Sequence, residues 1–377
     1  MYKNKVKVSQ LSLLLVLVMT GGKFLSLPAI LAKDLGHDSW LVVLLNFAFD
    51  FVCLCFLLWA IKINKNKLGF DEILSKTLSP LGSTVVLAVF FVMFMVRVII
   101  LLESCYNTFA IIFDVNTNWI LFVLPIILVT AFAILRGFKS VARLGQILFA
   151  FVIFSIVAIT IYPLTIMQPS ALLPIAEAGW GKILSVTVLR CYWFSDYLFI
   201  YFVLEEIQPQ KRLFTPMLVS FAVGVVLTLT LNVVFIALFG SLAQYNNVAM
   251  IKIGIFSASA TTDGRWDWIT LTVWITSVVI KIVIFIFCAY KCVEKMFRLH
   301  FTKVNVWVMG AITLIAMVPM FVSIDVFLEK FANYCIVPFA VLQYLLPLFM
   351  PLITKVASKK AQEQSLGWRK DLEAQRE

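Results

Sequence analysis

Seven charged side chains stand inside long apolar runs of this sequence: Lys23, Asp50, Arg97, Glu103, Arg190, Asp196 and Lys281. Facing lipid at the centre of a helix each would cost about 2.5–3.5 kcal/mol, and the set roughly 20 kcal/mol, more than the whole stability of a typical domain. They must therefore turn toward one another or toward a wet cavity. Four are cations and three are anions, so full pairing leaves one positive charge over. Two chemistries fit such a set. One is an ion-pair network that locks helices together; the other is a site for an anionic or zwitterionic ligand, or a proton or cation relay. Arg97 and Glu103 are six residues apart, about 240° around a helix, so each needs a partner on another element. Asn46 and Asp50 share a helix face, which suits a packing hydrogen bond between helices.

Two polar interruptions accompany these charges. Thr20-Gly21-Gly22-Lys23 breaks the first apolar run, and Arg190-Cys191-Tyr192-Trp193-Phe194-Ser195-Asp196 breaks a later one. Gly21-Gly22 could simply allow close helix packing. Coinciding with a second break, it points instead to backbone groups freed to hold a solute, with Thr20, Gly21, Gly22, Lys23, Tyr192, Phe194, Ser195 and Asp196 as candidate ligand-binding residues. Asp50, Arg97, Glu103, Arg190 and Lys281 are then the ion-pair or coupling residues. Tyr192, Trp193 and Phe194 could close over a solute or serve only as packing.

Enzyme chemistry is excluded on geometry. The two histidines, His37 and His300, fall in loops on opposite sides of the proposed membrane. Cys53 and Cys55 point about 200° apart on a helix and cannot be paired metal ligands. Gly22-Lys23-Phe24 lacks the spacing of a phosphate-binding loop. No catalytic residue, metal or cofactor is expected.

The elements that position these residues follow from composition. Of 377 residues 62% are apolar, 14% are charged and 34 are Phe, far beyond what a soluble core hides. Ten spans fit the apolar runs: 9–32, 38–61, 81–112, 117–135, 144–167, 184–205, 213–240, 266–290, 304–322 and 332–354. With these bounds 22 of the 31 Lys and Arg fall on the side of the termini, five on the other side and four within spans. The positive-inside rule thus puts both termini in the cytoplasm and accounts for the net charge of +11 without nucleic acid. Trp40, Trp119, Trp180, Trp266 and Trp268 fall at the external ends, as an aromatic belt requires. The first run passes Gly21-Gly22 to Ala32 and reads as a span, not a signal peptide. The seven Cys are scattered through apolar runs, which argues against a disulfide framework. Phe70 to Leu78 has the spacing of an interfacial helix, residues 247–260 of a re-entrant or surface segment, and residues 355–377 of a short cytoplasmic helix.

Ten spans divide into five plus five, and an odd number per half inverts the second half. The expected fold is an all-α integral membrane protein. It has about ten transmembrane helices in two inverted five-helix repeats, near 9–167 and 184–354, with helices 1 and 6 discontinuous. The chain reads as one membrane domain over 1–354 followed by the tail.

The sequence also resembles a known family, the B subunits of bacterial spore germinant receptors, within the amino acid–polyamine–organocation superfamily. The likeness runs from Val8-Ser9-Gln10 through Leu27-Pro28 and Leu31-Ala32 to Gly36-His37-Asp38-Ser39-Trp40. It continues in Gly137-Phe138-Lys139-Ser140-Val141-Ala142-Arg143-Leu144, in Leu173-Pro174 with Gly179, and in Trp274-Ile275 ahead of Lys281 and Tyr290. It covers roughly residues 8–354. Lys23 departs from the small or uncharged residue usual in that family. The resemblance implies a LeuT-like scaffold, a small germinant such as an amino acid as ligand, the spore inner membrane as location, and an A-type membrane subunit and a C-type lipoprotein subunit as partners. In related cation-coupled carriers spans 1 and 8 hold a sodium ion, so the resemblance implies that Lys281 replaces that ion by donating to carbonyls near Thr20 and Gly21. The alternative for Lys281 is to snorkel or to pair with Glu103; if it and Lys23 both point inward, Asp196 or Asp50 should compensate one of them, or one lysine must lose its proton. Two other functions stay open: a cation- or proton-coupled transporter of amino acids or amines, and a channel or scaffold that binds no ligand.

Overall fold

Unbroken runs of Leu, Ile, Val and Phe without turn residues form long helices, because in an apolar solvent every backbone N–H and C=O must be satisfied within its own segment. The computed structural model describes residues 5–64, 68–113, 118–208, 213–246, 248–249, 252–254, 266–297, 303–322 and 334–374. Its helices are α1 (Val8–Thr20), α2 (Lys23–Leu35), α3 (Ser39–Ile63), α4 (Phe70–Thr77), α5 (Pro80–Phe113), α6 (Trp119–Leu135), α7 (Phe138–Ile166), α8 (Trp180–Leu189), α9 (Phe199–Phe202), α10 (Phe214–Phe239), α11 (Trp266–Met296), α12 (Lys303–Val322) and α13 (Leu346–Ala374).

Among the described residues six helical stretches are long and apolar enough to cross a membrane: Val8–Ile63, Pro80–Ile111, Phe138–Ile166, Phe214–Tyr245, Trp274–Met296 and Tyr334–Glu363. Trp119–Leu135, Trp180–Leu189 and Asn305–Ala316 are shorter apolar helices. The protein is thus an all-α integral membrane protein, with fewer full-length spans than the ten expected. The first stretch is 56 residues long, because α1, α2 and α3 follow one another with only a short turn at Gly36–Asp38.

The first helix is discontinuous where expected. Gly22 takes φ +83°, a left-handed conformation that glycine adopts without steric cost, and it ends α1 and starts α2. Any Cβ on Gly22 would lie 2.2 Å from Leu101 on α5, and one on Gly21 would lie 3.2 Å from the Ser277 carbonyl on α11. The two glycines therefore break the helix and let its neighbours approach closely.

Helix α1 packs in the middle of the bundle against α7, α10, α11 and the turn at Asp196–Leu198, while α11 packs along α5. Outward-facing positions on α7, such as Ile147, Phe151, Phe154 and Ile161, are exposed and apolar, as lipid contact requires. The expected helix at Phe70 is α4; its Phe70, Ile73 and Leu74 are buried, and it packs against α5 and α13. The tail does not form a separate helix but continues α13 to Ala374. Residues 247, 250, 251 and 255–260 of the expected re-entrant segment lie outside the described residues, as do His300 and Arg298.

Candidate functional site

The second break builds half of the site. Helix α8 ends at Arg190; a turn at Cys191–Trp193 follows, then extended Phe194, left-handed Ser195 at φ 59°, and a turn at Asp196–Leu198 before α9. A non-glycine residue in that region costs about 1 kcal/mol or more and persists when its surroundings fix it. Asp50 on α3 does so, accepting from the Ser195 N–H at 2.7 Å and the Ser195 hydroxyl at 2.6 Å. Asp50 is thus committed to the second break and not to packing with Asn46, which accepts from the Tyr344 hydroxyl and donates to the Thr187 carbonyl.

Asp196 is the centre. Lys23 donates to its Oδ2, Lys281 donates to the same oxygen at 3.1 Å, and Nη1 of Arg97 lies 3.7 Å from Oδ1. All four side chains are at most 4% exposed. Lys281 therefore pairs with Asp196 and not with Glu103, and among the described residues it makes no hydrogen bond to the carbonyls of Thr20 or Gly21. The backbone carbonyls freed at the breaks are occupied from within. Lys23 donates to Met19 O at 2.9 Å, at the C-terminal end of α1 where a cation is favoured, and Arg97 Nη2 donates to Phe194 O at 2.5 Å. Aromatic faces complete the shell: Lys23 lies 5.4 Å from the Phe194 ring centre and 5.6 Å from that of Phe47, and Lys281 lies 5.5 Å from Phe285.

A cavity of about 20 Å³, room for about one water molecule, adjoins this cluster between Arg97, Tyr192, Trp193, Asp196, Lys281 and Phe285. A solute the size of an amino acid enters only if these walls move.

Several candidates sit elsewhere. Thr20 is buried, and its hydroxyl bonds back to Val16 O within α1. Glu103 lies away from Asp196 along α5 and accepts from Asn107 one turn on. Arg190 makes a bidentate pair with Asp34, at 2.7 and 3.0 Å, joining the end of α2 to the end of α8, and its Nη1 donates to the Tyr192 hydroxyl at 3.3 Å. Phe194 packs on Lys23 and Phe47, whereas Tyr192 and Trp193 border the cavity. The sequence reading missed Asp34 and Gln343. With its amide oxygen toward Arg97, Gln343 accepts from Nη2 at 2.9 Å and donates to Cys191 O at 3.1 Å. Its signal was an amide alone in an apolar run. All seven cysteines are free, and no group of His, Cys, Asp and Glu that could hold a metal occurs among the described residues.

The segments outside the two breaks meet as well, ahead of α1 and after α9. Val6 pairs with Ile207, its N–H donating to Glu206 O and its carbonyl accepting from Gln208 N.

Over residues 5–323 the chain matches the spore permease family, described as spore germination protein. No curated protein matches it. In fold it is similar to Mhp1, a nucleobase-cation-symport-1 family transporter, in a closed conformation with bromovinylhydantoin bound. That likeness has a TM-score of 0.59 and 11% identity and covers 97% of this chain and 93% of that one. The Eremococcus coleocola manganese transporter is similar too, in a mutant form at 11% identity and in complex with an aromatic bis-isothiourea substituted compound at 10%; each has a TM-score of 0.55 and covers 93% of this chain and 85% of that one. At these identities the likeness shows the fold alone, a membrane-spanning helical fold whose first helix is broken.

Proposed function

The chain belongs to the spore germination protein family, and from that premise we propose that it is the membrane subunit of a spore germinant receptor, binding a small nutrient such as an amino acid and triggering germination. The observation that carries this reading is the convergence of Lys23, Arg97 and Lys281 on Asp196 between two helix breaks. Broken helices with buried charge at their junction are where folds of this kind hold small solutes. Membership of the family implies a receptor of several subunits, and the proposed partners are an A-type membrane subunit and a C-type lipoprotein subunit.

The proposed location is the spore inner membrane, with both termini cytoplasmic as the basic loops favour. The proposed architecture is ten spans in two inverted repeats, near 9–167 and 184–354. Counting Val8–Ile63 as two passes and each of the three shorter apolar helices as one brings the six stretches to ten. The proposed ligand residues are Thr20, Gly21, Gly22, Lys23, Tyr192, Phe194, Ser195 and Asp196, and Lys281 is proposed to take the part of a coupling sodium through its pair with Asp196 instead of through freed carbonyls.

Deleting the gene should slow germination toward a particular nutrient while sporulation proceeds normally. An unchanged response to every nutrient tested would overturn the reading. The second reading, an ion-coupled transporter, is favoured by the likeness to transporter folds. Saturable, ion-driven accumulation of labelled amino acids by protein in liposomes would establish it.

A further inference from the structure

Among the described residues Lys23, Arg97 and Lys281 face two carboxylates, Asp50 and Asp196, so the five buried side chains carry a surplus of one positive charge. Neither carboxylate has much left to give. Both oxygens of Asp50 are taken by Ser195, and Asp196 already serves three cations. On Arg97 only Nη2 donates to protein oxygens. Among the described residues Nε and Nη1 make no hydrogen bond, and neither does Nε1 of Trp193, although both side chains are more than nine-tenths buried. Arg97, Trp193 and Lys281 border the same small cavity, as does Asp196, whose carboxylate is shared among the three cations. Unpartnered donors and excess positive charge at one cavity are the inverse image of an acceptor with one negative charge. The position a solute ammonium would take is different: Lys23 already fills it, held on Asp196 and Met19 O.

Resting on the reading that this cluster is the solute site, we propose that the Arg97–Trp193–Lys281 cavity binds a monovalent anionic group, either the carboxylate of a small solute or a free halide. A solute ammonium contributes little there, because it would have to displace a tethered lysine. The protein therefore ranks propionate at or above alanine, and alanine above propylamine. An amine-selective or cation-selective site would give the reverse order. The cluster's other route to neutrality is loss of a proton from one ammonium, and in that case no anion binds.

The test uses the full chain, purified in detergent, with its melting temperature followed while sodium propionate, sodium chloride, alanine or propylamine is titrated at ionic strength held constant by sulfate. Propionate or chloride should raise the midpoint progressively with concentration; a response to both or to one identifies the source of the anionic group. Arg97→Gln should weaken the effect at least about tenfold, and Trp193→Phe, which keeps the ring and loses the donor, about threefold to tenfold. Arg97→Lys retains the charge in case Arg97→Gln does not fold, and it too should weaken binding by about tenfold, because the planar donor set is lost. Wild-type protein that ignores both anions, or responds equally to propylamine, overturns the proposal, as do Trp193→Phe and Arg97→Lys proteins that respond like wild type. Stabilisation by alanine and propylamine without the anions would overturn this inference alone and leave the nutrient-site reading standing. Stabilisation by none of the four overturns the inference, while the nutrient-site reading is decided separately by the gene-deletion response.

Discussion

Replacing Asp196 by Asn is the sharpest perturbation of the cluster, because it removes one charge that three cations share. The change takes the five-residue set from a net charge of +1 to +2, while Lys23, Arg97 and Lys281 stay buried at 1%, 4% and 3% exposure. At 3.1 Å the Lys281–Asp196 attraction alone is about 5 kcal/mol at an effective dielectric of 20. Removing one partner of a buried pair costs about 3–5 kcal/mol in practice, since the other is left uncompensated. Asp196→Asn should therefore destabilise by about 3–5 kcal/mol. Lys281→Met, which leaves Asp196 with Lys23 and Arg97 and makes the set neutral, should cost only about 1–2 kcal/mol. The double variant returns the set to +1 and should be more stable than Asp196→Asn alone. The buried thiols of Cys105, Cys288 and Cys292 provide the assay: a thiol-reactive dye reports unfolding of detergent-purified protein as they become exposed. If Asp196→Asn melts like the wild type, or if adding Lys281→Met fails to recover stability, then Asp196 does not balance the three cations around it.

Gly22→Ala meets both a φ of +83° and Leu101 at 2.2 Å, so it should cost about 2–5 kcal/mol and yield little folded protein in the membrane fraction. Ser195→Ala removes the hydroxyl bond to Asp50 and leaves the N–H bond in place; it should lower stability by about 1–2 kcal/mol, read in the same thiol assay. Arg190→Gln breaks a pair with Asp34 whose side chains are each about a fifth exposed, so its stability cost should stay near 1 kcal/mol while the rate of the nutrient response changes. Under the proposed function Lys281→Met should abolish the nutrient response with normal membrane insertion, and the wild-type response should not change when potassium replaces sodium in germination assays; a sodium requirement would refute the substitution of ammonium for ion.

Desolvation makes part of this architecture readable from sequence and hides the rest. A charge in an apolar run has to be internal, so Lys23, Arg97, Asp196 and Lys281 announce themselves. Gly21-Gly22 marks the first break through its backbone freedom. The partners do not announce themselves, because pairing across helices depends on rotations and offsets that periodicity within one helix does not encode. Asp50 was placed on the right face of α3, yet its partner is a main-chain N–H at Ser195, which carries no signature in side-chain type. Asp34 lies at the end of α2, where a charge costs little and so attracts no notice, and it is the residue that holds Arg190. Gln343 is uncharged, so its burial strains the sequence pattern less than an ion does, although it completes the shell of Arg97.

In carriers with broken helices the freed carbonyls and half-helix ends serve ions and substrates that come and go. Here two of those carbonyls, Met19 O and Phe194 O, are held by Lys23 and Arg97, and the carboxylate between the breaks is held by Lys281 as well. A tethered ammonium cannot diffuse away, so it cannot carry charge through a cycle as a bound ion does. Short of giving up a proton, it acts by changing partners, which alters how the two breaks are joined. A solute that binds this cluster then acts through its differential affinity for the joined and unjoined arrangements, the thermodynamic requirement for any conformational signal. Built-in cations thus stand in for a diffusing metal cation on this scaffold, whether the site senses a solute or moves it with a proton, and they make the charge of the solute, more than its size, the property the site is equipped to read.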